Sequence, residues 1–172
     1  MPRKVEMQLV KPNLKYKDSF LKGIKELQAE GNNILPTPWV VHFEEYVARF
    51  EKEEQGIDLP EGYVSHSRFW LIDNEEFIGH VDIRHKLTDD LLKFGGHIGY
   101  AIVPSKRRLG YGTKILEMAL PIAKELGIEK VFFTLDDSNI ASAKIIEKNG
   151  GVLESKIEYE GVLKRRYWIT LK

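Results

Sequence analysis

The sequence has no cysteine. That excludes a disulfide framework, a thiolate metal site and a cysteine nucleophile. It has no excess of either charge: Lys and Arg number 26, as do Asp and Glu, for a formal net charge of zero. A strong non-specific pull on nucleic acid is not expected from that balance. No apolar run approaches the ~18 residues of a membrane span. The start, Met1-Pro2-Arg3-Lys4-Val5-Glu6, lacks an apolar core of signal-peptide length. No repeat or low-complexity segment is apparent. These absences predict a soluble, cytoplasmic chain without a membrane or nucleic-acid partner. The five histidines show no spacing such as His-Glu-x-x-His, so no metal is expected. There is no Gly-x-Ser-x-Gly elbow. At 172 residues, one domain spanning 1–172 is the natural count.

What is present is a regular alternation of elements. Val5 to Val10 reads as a short strand ended by Pro12. Asp18 offers a helix N-cap, Phe20, Ile24 and Leu27 recur at helical spacing, and Gly31 is placed to stop the helix. Thr37-Pro38 opens a second helix whose Phe43, Tyr46, Val47 and Phe50 share a face. Arg68 to Asp73 and Phe77 to Arg84 read as a hairpin about Asn74-Glu75-Glu76. In its second strand Phe77, Gly79, Val81 and Ile83 share one side, and Ile78, His80, Asp82 and Arg84 the other. Thr88 to Phe94 is a short helical excursion. His97 to Val103 is the next strand, followed by a long helix carrying Ile115, Met118, Ala119, Ile122 and Leu126 on its core face. Val131 to Leu135 reads as a covered strand. Asn139 opens a helix ending near Gly150, and Val152 to Tyr159 with Lys164 to Leu171 form a final hairpin. This order predicts an α/β fold: a mixed, mainly antiparallel central sheet of about seven strands flanked by about four helices. The strand–helix–strand unit from 97 to 135 requires a parallel crossover.

The stretch Arg107-Arg108-Leu109-Gly110-Tyr111-Gly112 stands between a strand and a long helix. Glycines there leave the backbone N–H groups uncovered at a helix start, where the dipole attracts anionic oxygens. The pattern is not a Walker loop. Nor is it a dinucleotide fingerprint, since the third glycine would fall at Ile115. Read alone, it is a phosphate cradle or a basic turn before a glycine-relaxed helix. A second block, Asn139-x-x-Ser142 followed by Glu147-Lys148-Asn149-Gly150, lies one helix and one strand further on.

Together the two blocks and the element order resemble the GCN5-related N-acetyltransferases (the GNAT family) over nearly the whole chain. The resemblance implies a GNAT-like fold that uses acetyl-CoA as acyl donor. The main chain near Ile102 and Val103 would bond the pantetheine arm like an added strand. Backbone N–H groups from Arg108, Leu109, Gly110, Tyr111, Gly112 and Thr113 would hold the pyrophosphate. Arg107 would support the loop or neutralise phosphate charge. Asn139 and Ser142 would line the pantetheine channel, and Asn139 is also placed to cap its helix. Many family members carry a tyrosine seven positions beyond the asparagine, where it protonates the leaving thiolate. Here that position is Ile146, which has no proton to give. Tyr100, Tyr159 and Tyr167 are possible substitutes.

Acyl transfer to an amine requires a neutral amine, whereas a free alkyl ammonium has a pKa near ~10. His97, on the strand leading into the glycine loop, is the candidate base. It is equally placed to bond the adjacent Gly95-Gly96 turn. His80, Asp82 and Arg84 form a second polar group on one strand face, for binding the acceptor or relaying a proton, or as an internally paired face. The expected activity is transfer of acetyl to a primary amine, small-molecule or peptide, by an enzyme that could be oligomeric. The alternative is a non-catalytic CoA-binding or sensing protein on the same scaffold.

Overall fold

The computed structural model describes residues 7–32 and 42–172. Within them the strands are β1 (Gln8–Val10), β2 (His66–Asp73), β3 (Glu76–Arg84), β4 (Ile98–Ile102), β5 (Lys130–Asp136), β6 (Val152–Tyr159) and β7 (Val162–Thr170). The α-helices are α1 (Lys17–Ala29), α2 (Phe43–Glu54), α3 (Asp89–Lys93), α4 (Tyr111–Glu125) and α5 (Ile140–Lys148). The order is the one expected, with α3 as the excursion after its N-cap Thr88. The Thr37-Pro38 opening of the second helix and the Val5 start of the first strand lie outside the described residues. Asp18 is not a cap: α1 begins one residue earlier, and Asp18 sits in its first turn, where the dipole favours an acid.

The strands divide into two sheets, β1-β2-β3-β4 and β5-β7-β6, and every ladder is antiparallel. The expected central sheet is therefore split. Where a parallel pairing of β4 with β5 was expected, one backbone bond joins them: the His97 N–H donates to the Phe132 carbonyl at 2.8 Å. Beyond that point, among the described residues, no ladder forms between the two strands. One edge of β4 thus keeps main-chain donors and acceptors for another partner, apart from the Ile102 carbonyl, which accepts from Arg107 Nε.

Two cores lie on opposite faces. On one, α1 and α2 bring Phe20, Ile24, Leu27, Phe43, Tyr46 and Phe50 onto Trp70, Ile72 and Phe77. Phe20 stacks on Trp70 with centroids 4.3 Å apart. On the other, α4 and α5 bring Ile115, Leu116, Ala119, Ala143 and Ile146 onto Leu71, Ile78, Val81, Ile83, Ile98 and Ile102. The expected alternation in β3 therefore fails at its start. Leu71 pairs with Gly79 and Ile72 with Phe77, which leaves Ile78 as an extra residue. This bulge reverses the side-chain sense. Phe77 packs under α1, while Ile78 joins Val81 and Ile83 under α4. The connecting turn is tighter than expected, with Asn74 (φ 52°) and Glu75 (φ 63°) alone at its centre. That double left-handed geometry suits a two-residue hairpin.

Candidate active site

β4 ends in a single 3-10 turn, Pro104–Lys106, and the loop Arg107–Gly110 leads into α4. Arg108 (φ 62°) and Gly110 (φ 86°) take left-handed backbone and swing the chain into the helix. Gly110 occupies the N-cap position and has no side chain to satisfy the helix. The first N–H groups of α4 are therefore left for an outside acceptor at the positive end of the dipole. Together these make an anion site. Gly112 also has a packing role. Its φ is ordinary, and a Cβ there would lie 2.5 Å from Ile145 Cδ1, so the glycine lets α4 approach α5. Asn149 Nδ2 ties the same two helices by donating to the Thr113 carbonyl at 3.3 Å.

A cleft of about 820 Å³ opens at this helix start. Gly110, Gly112 and Thr113 line one wall, and Asn139, Ser142 and Ile145 of α5 continue it. Tyr100, Ala101 and Ile102 of β4 form the opposing wall. Leu27, Asn32 and His80 line it from the α1 side of the sheet. The cleft thus passes the open edge of β4 and reaches both faces, because β4 and β5 diverge. Arg108, Lys144 and Lys148 add positive charge to its lining.

The structure distributes the remaining loop residues unevenly. Arg107 lines the cleft, but its guanidinium forks onto Glu30 at 2.7 and 2.9 Å, and its Nε donates to the Ile102 carbonyl at 3.3 Å. It supports the loop from α1. Leu109 is 66% exposed and lines no part of the cleft. Tyr111 turns its side chain away: its hydroxyl donates to Asp73 at 2.6 Å, a bond that, with burial, pushes the phenol up to about 12. The Val103 N–H is already committed to the Ile78 carbonyl at 2.8 Å, so pantetheine pairing falls to the open edge preceding it. Asn139 caps α5, its Oδ1 accepting from the Ser142 N–H at 3.2 Å, and also lines the cleft.

The proton-transfer candidates separate as clearly. His97 is buried and lines no part of the cleft. Its Nδ1 accepts from the Phe132 N–H at 2.9 Å, and burial, with Arg84 nearby, lowers its pKa to about 4. That lone pair is bound in the junction of the two sheets, so the expected base role passes from His97. Asp82 is held by Arg68 through two bonds of 2.6 and 2.7 Å. Burial pushes its carboxyl up, but the guanidinium overrides this and holds it at about 2. Arg84 Nη1 donates to the carbonyls of Gly95 and Gly96 at 3.2 and 3.0 Å. Asp82 and Arg84 are thus internally paired. Of the three, only His80 lines the cleft. Its Nδ1 is buried without a partner, and burial, then the Arg68 charge, lowers its pKa to about 4.

Tyr159 stacks on Phe94, and the Tyr167 hydroxyl donates to Glu147 at 2.7 Å. Neither lines the cleft, whereas Tyr100 does. Sequence reasoning missed Leu27, Asn32, Lys144, Ile145 and Lys148. The last three share a helical face with Ala141 at spacings of three and four, a signal present in the sequence.

A family model described as the acetyltransferase (GNAT) domain matches residues 27–152, most of the chain. The chain belongs to the GNAT acetyltransferase family. Solved structures agree with the GNAT fold. A ribosomal L7/L12 α-N-protein acetyltransferase in complex with coenzyme A superposes with a TM-score of 0.69 at 16% identity, covering 96% of this chain and 94% of that one. A putative acetyltransferase from Salmonella typhimurium with acetyl-CoA gives 0.63 at 13% identity, with 96% and 94% covered. Mutant forms of a spermidine/spermine N-acetyltransferase from Vibrio cholerae give 0.62 at 16% identity, with 96% and 95% covered. No match to a curated protein reaches significance. Among the described residues no helix of this GNAT chain is long and apolar enough to cross a membrane, and no cluster of ligating side chains suits a metal.

Proposed function

We propose that this GNAT protein is an acetyl-CoA-dependent N-acyltransferase that moves acetyl to a primary amine, small-molecule or peptide, by direct attack on the thioester. The observation that carries this reading is the cleft that joins the uncapped start of α4 to the open edge of β4. The residues present fit the cosubstrate. The N–H groups at the helix start suit a pyrophosphate, with Arg108, Lys144 and Lys148 supplying charge. The free edge of β4 suits the amide groups of a pantetheine arm, as an added strand would. Asn139 and Ser142 border that arm. A β4 N–H on that edge would donate to the oxyanion that forms on attack.

His80 faces the cleft from the α1 side, opposite the α4–α5 wall. We assign it to the acceptor. It is neutral at physiological pH and can accept a hydrogen bond from the incoming amine. Acetyl-CoA supplies an activated acyl group, and the chain contributes orientation, oxyanion contacts and proton acceptance. No acyl-enzyme is needed, in keeping with the lack of cysteine.

The test is calorimetry with CoA, followed by thiol release from acetyl-CoA across a panel of amines with product masses confirmed. CoA at a hundredfold excess over its dissociation constant should stabilise the fold by about 2.7 kcal/mol. Absence of binding at millimolar CoA by folded protein refutes the reading. The buried Ile146 favours one alternative, a CoA sensor. Tight CoA binding without thiol release on any amine would establish that alternative.

A further inference from the structure

The two sides of the cleft differ in charge. Arg108, Lys144 and Lys148 stand with the cofactor loop and α5. Leu27, Asn32 and His80 line it from the α1 side, and among the described residues no carboxylate lines any part of it. Residues 33–41, which join α1 to α2, include no acid in sequence. The acid on this sheet face, Asp82, is held by Arg68 through Nε and Nη2, and Tyr46 of α2 accepts from the same guanidinium. His80 sits in the field of that cation with its Nδ1 buried and unpartnered. Burial and that field hold it neutral down to about pH 4, and burial keeps the Tyr100 phenol of β4 neutral as well. An ammonium entering from this side would lose its water and meet no counter-ion, which is costly. A base as weak as His80 would not relieve it of a proton, because an alkylammonium holds its own to a pH near ~10.

We infer that the acceptor enters this cleft as its free base, and that the site therefore selects primary amines of low basicity, such as a peptide α-amine, over alkylamines and polyamines. The inference rests on the acyl-transfer reading above and narrows its acceptor. The proton count agrees. The lone pair of the free amine forms the C–N bond to the thioester carbon, and the C–S bond breaks with its electron pair on sulfur. The nitrogen, positively charged after attack, gives up one proton to His80, and water carries one from there to the sulfur as it leaves. Amide and thiol result with no net proton to dispose of. From an ammonium, one further proton would have to be removed at the start, and none of the described groups on this side of the cleft would hold it.

The probes are alanyl-alanine amide, whose α-amine titrates near ~8, Nα-acetyl-lysine amide, whose ε-amine titrates near ~10.4, and spermidine. At neutral pH roughly one α-amine in ten is free base, against roughly one ε-amine in 2,500. Thiol release from acetyl-CoA should favour the dipeptide in kcat/KM by at least roughly tenfold, since its lower nucleophilicity offsets only part of that difference. For the dipeptide kcat/KM should rise with pH and level near ~8, whereas for the lysine amide it should still be rising at a pH of ~9.5. His80→Gln, which cannot take a proton, should leave the levelling point of each amine where it was, whatever its effect on kcat. A profile that levels at one pH whichever amine is used, or a preference for the lysine amide or spermidine, overturns the inference and leaves acyl transfer standing. So does a levelling point that moves in His80→Gln. Tight CoA binding with no thiol release on any amine removes the acyl-transfer reading itself, and this inference with it.

Discussion

Replacing Asp82 by Asn separates a substrate contact from a structural ion pair. The carboxylate shares two bonds with Arg68, whose guanidinium also lies 4.6 Å from the Phe50 ring centroid and donates to the Tyr46 hydroxyl at 3.3 Å. The Arg68 and Asp82 side chains are 15% and 24% exposed. The folded carboxyl titrates at about 2 rather than 3.8. That displacement corresponds to about 2.5 kcal/mol, trimmed by partial exposure to about 1–2 kcal/mol. Because the folded value is depressed, the contribution is complete above pH 3.8 and disappears as pH falls through 2. Asp82→Asn also leaves Arg68 charged without its counter-ion, and breaking a buried pair from one side costs about 3–5 kcal/mol. Urea unfolding of both proteins between pH 7 and pH 2 reads the difference directly. The gap should be several kcal/mol at neutral pH and should narrow below pH 4 as the wild type protonates. A gap that is small, or that stays constant down to pH 2, refutes the argument. So does a variant of normal stability whose KM for the amine has risen.

Gly112→Ala should shift stability by no more than about 1 kcal/mol, because the new Cβ meets only the end of the Ile145 side chain and helix propensity improves by about 0.8–1 kcal/mol. Adding Ile145→Val should give a non-additive double-mutant cycle by chemical denaturation, and strict additivity would contradict the contact. His97→Ala should leave the pH profile of turnover unchanged but cost about 1–3 kcal/mol, because the buried Phe132 N–H loses its acceptor. The depressed His97 pKa means its contribution is present above 6.5 and wanes as pH falls toward 4. The stability gap between variant and wild type should therefore narrow over that window, and a shifted turnover profile would restore His97 as a base.

The features legible in the sequence are those set by neighbours along the chain. Glycine at the α4 start, the Asn139 cap and the apolar spacing of α1 and α4 are local facts, and they marked the cleft correctly. Roles that depend on a distant partner were hidden. For Arg107 loop support and phosphate neutralisation both stood open, because Glu30 is far from it in sequence. Nothing local reveals that Asp73 holds the Tyr111 side chain. His97 does stand where expected, but its lone pair belongs to Phe132 on another strand. Asp82 and Arg84 share a strand face with His80, as the alternation predicts, and still serve other partners. Periodicity reports which way a side chain points and is silent on what meets it. The split of the sheet is likewise a matter of how β4 and β5 pass one another, which neither strand records alone.

The extra residue in β3 makes the chain unequally tolerant of length changes. Residues could be gained at the Asn74-Glu75 turn with only a longer loop between the same two strands. One residue could also be lost at Ile78, since Phe77 and Gly79 would then face Ile72 and Leu71 in an unbroken ladder, and Phe77 and His80 would still share the α1 face. Between His80 and Ile83 no such latitude exists. If Phe77 and His80 kept their places after a loss there, Asp82 would turn toward α4 and leave Arg68. If Asp82 held its place, Phe77 and His80 would turn over instead. A single deletion in that stretch would therefore do what no single substitution can: exchange the contents of the two faces. Homologous chains that share this cleft should vary in length at the turn and the bulge, and conserve the count of residues from His80 to Arg84.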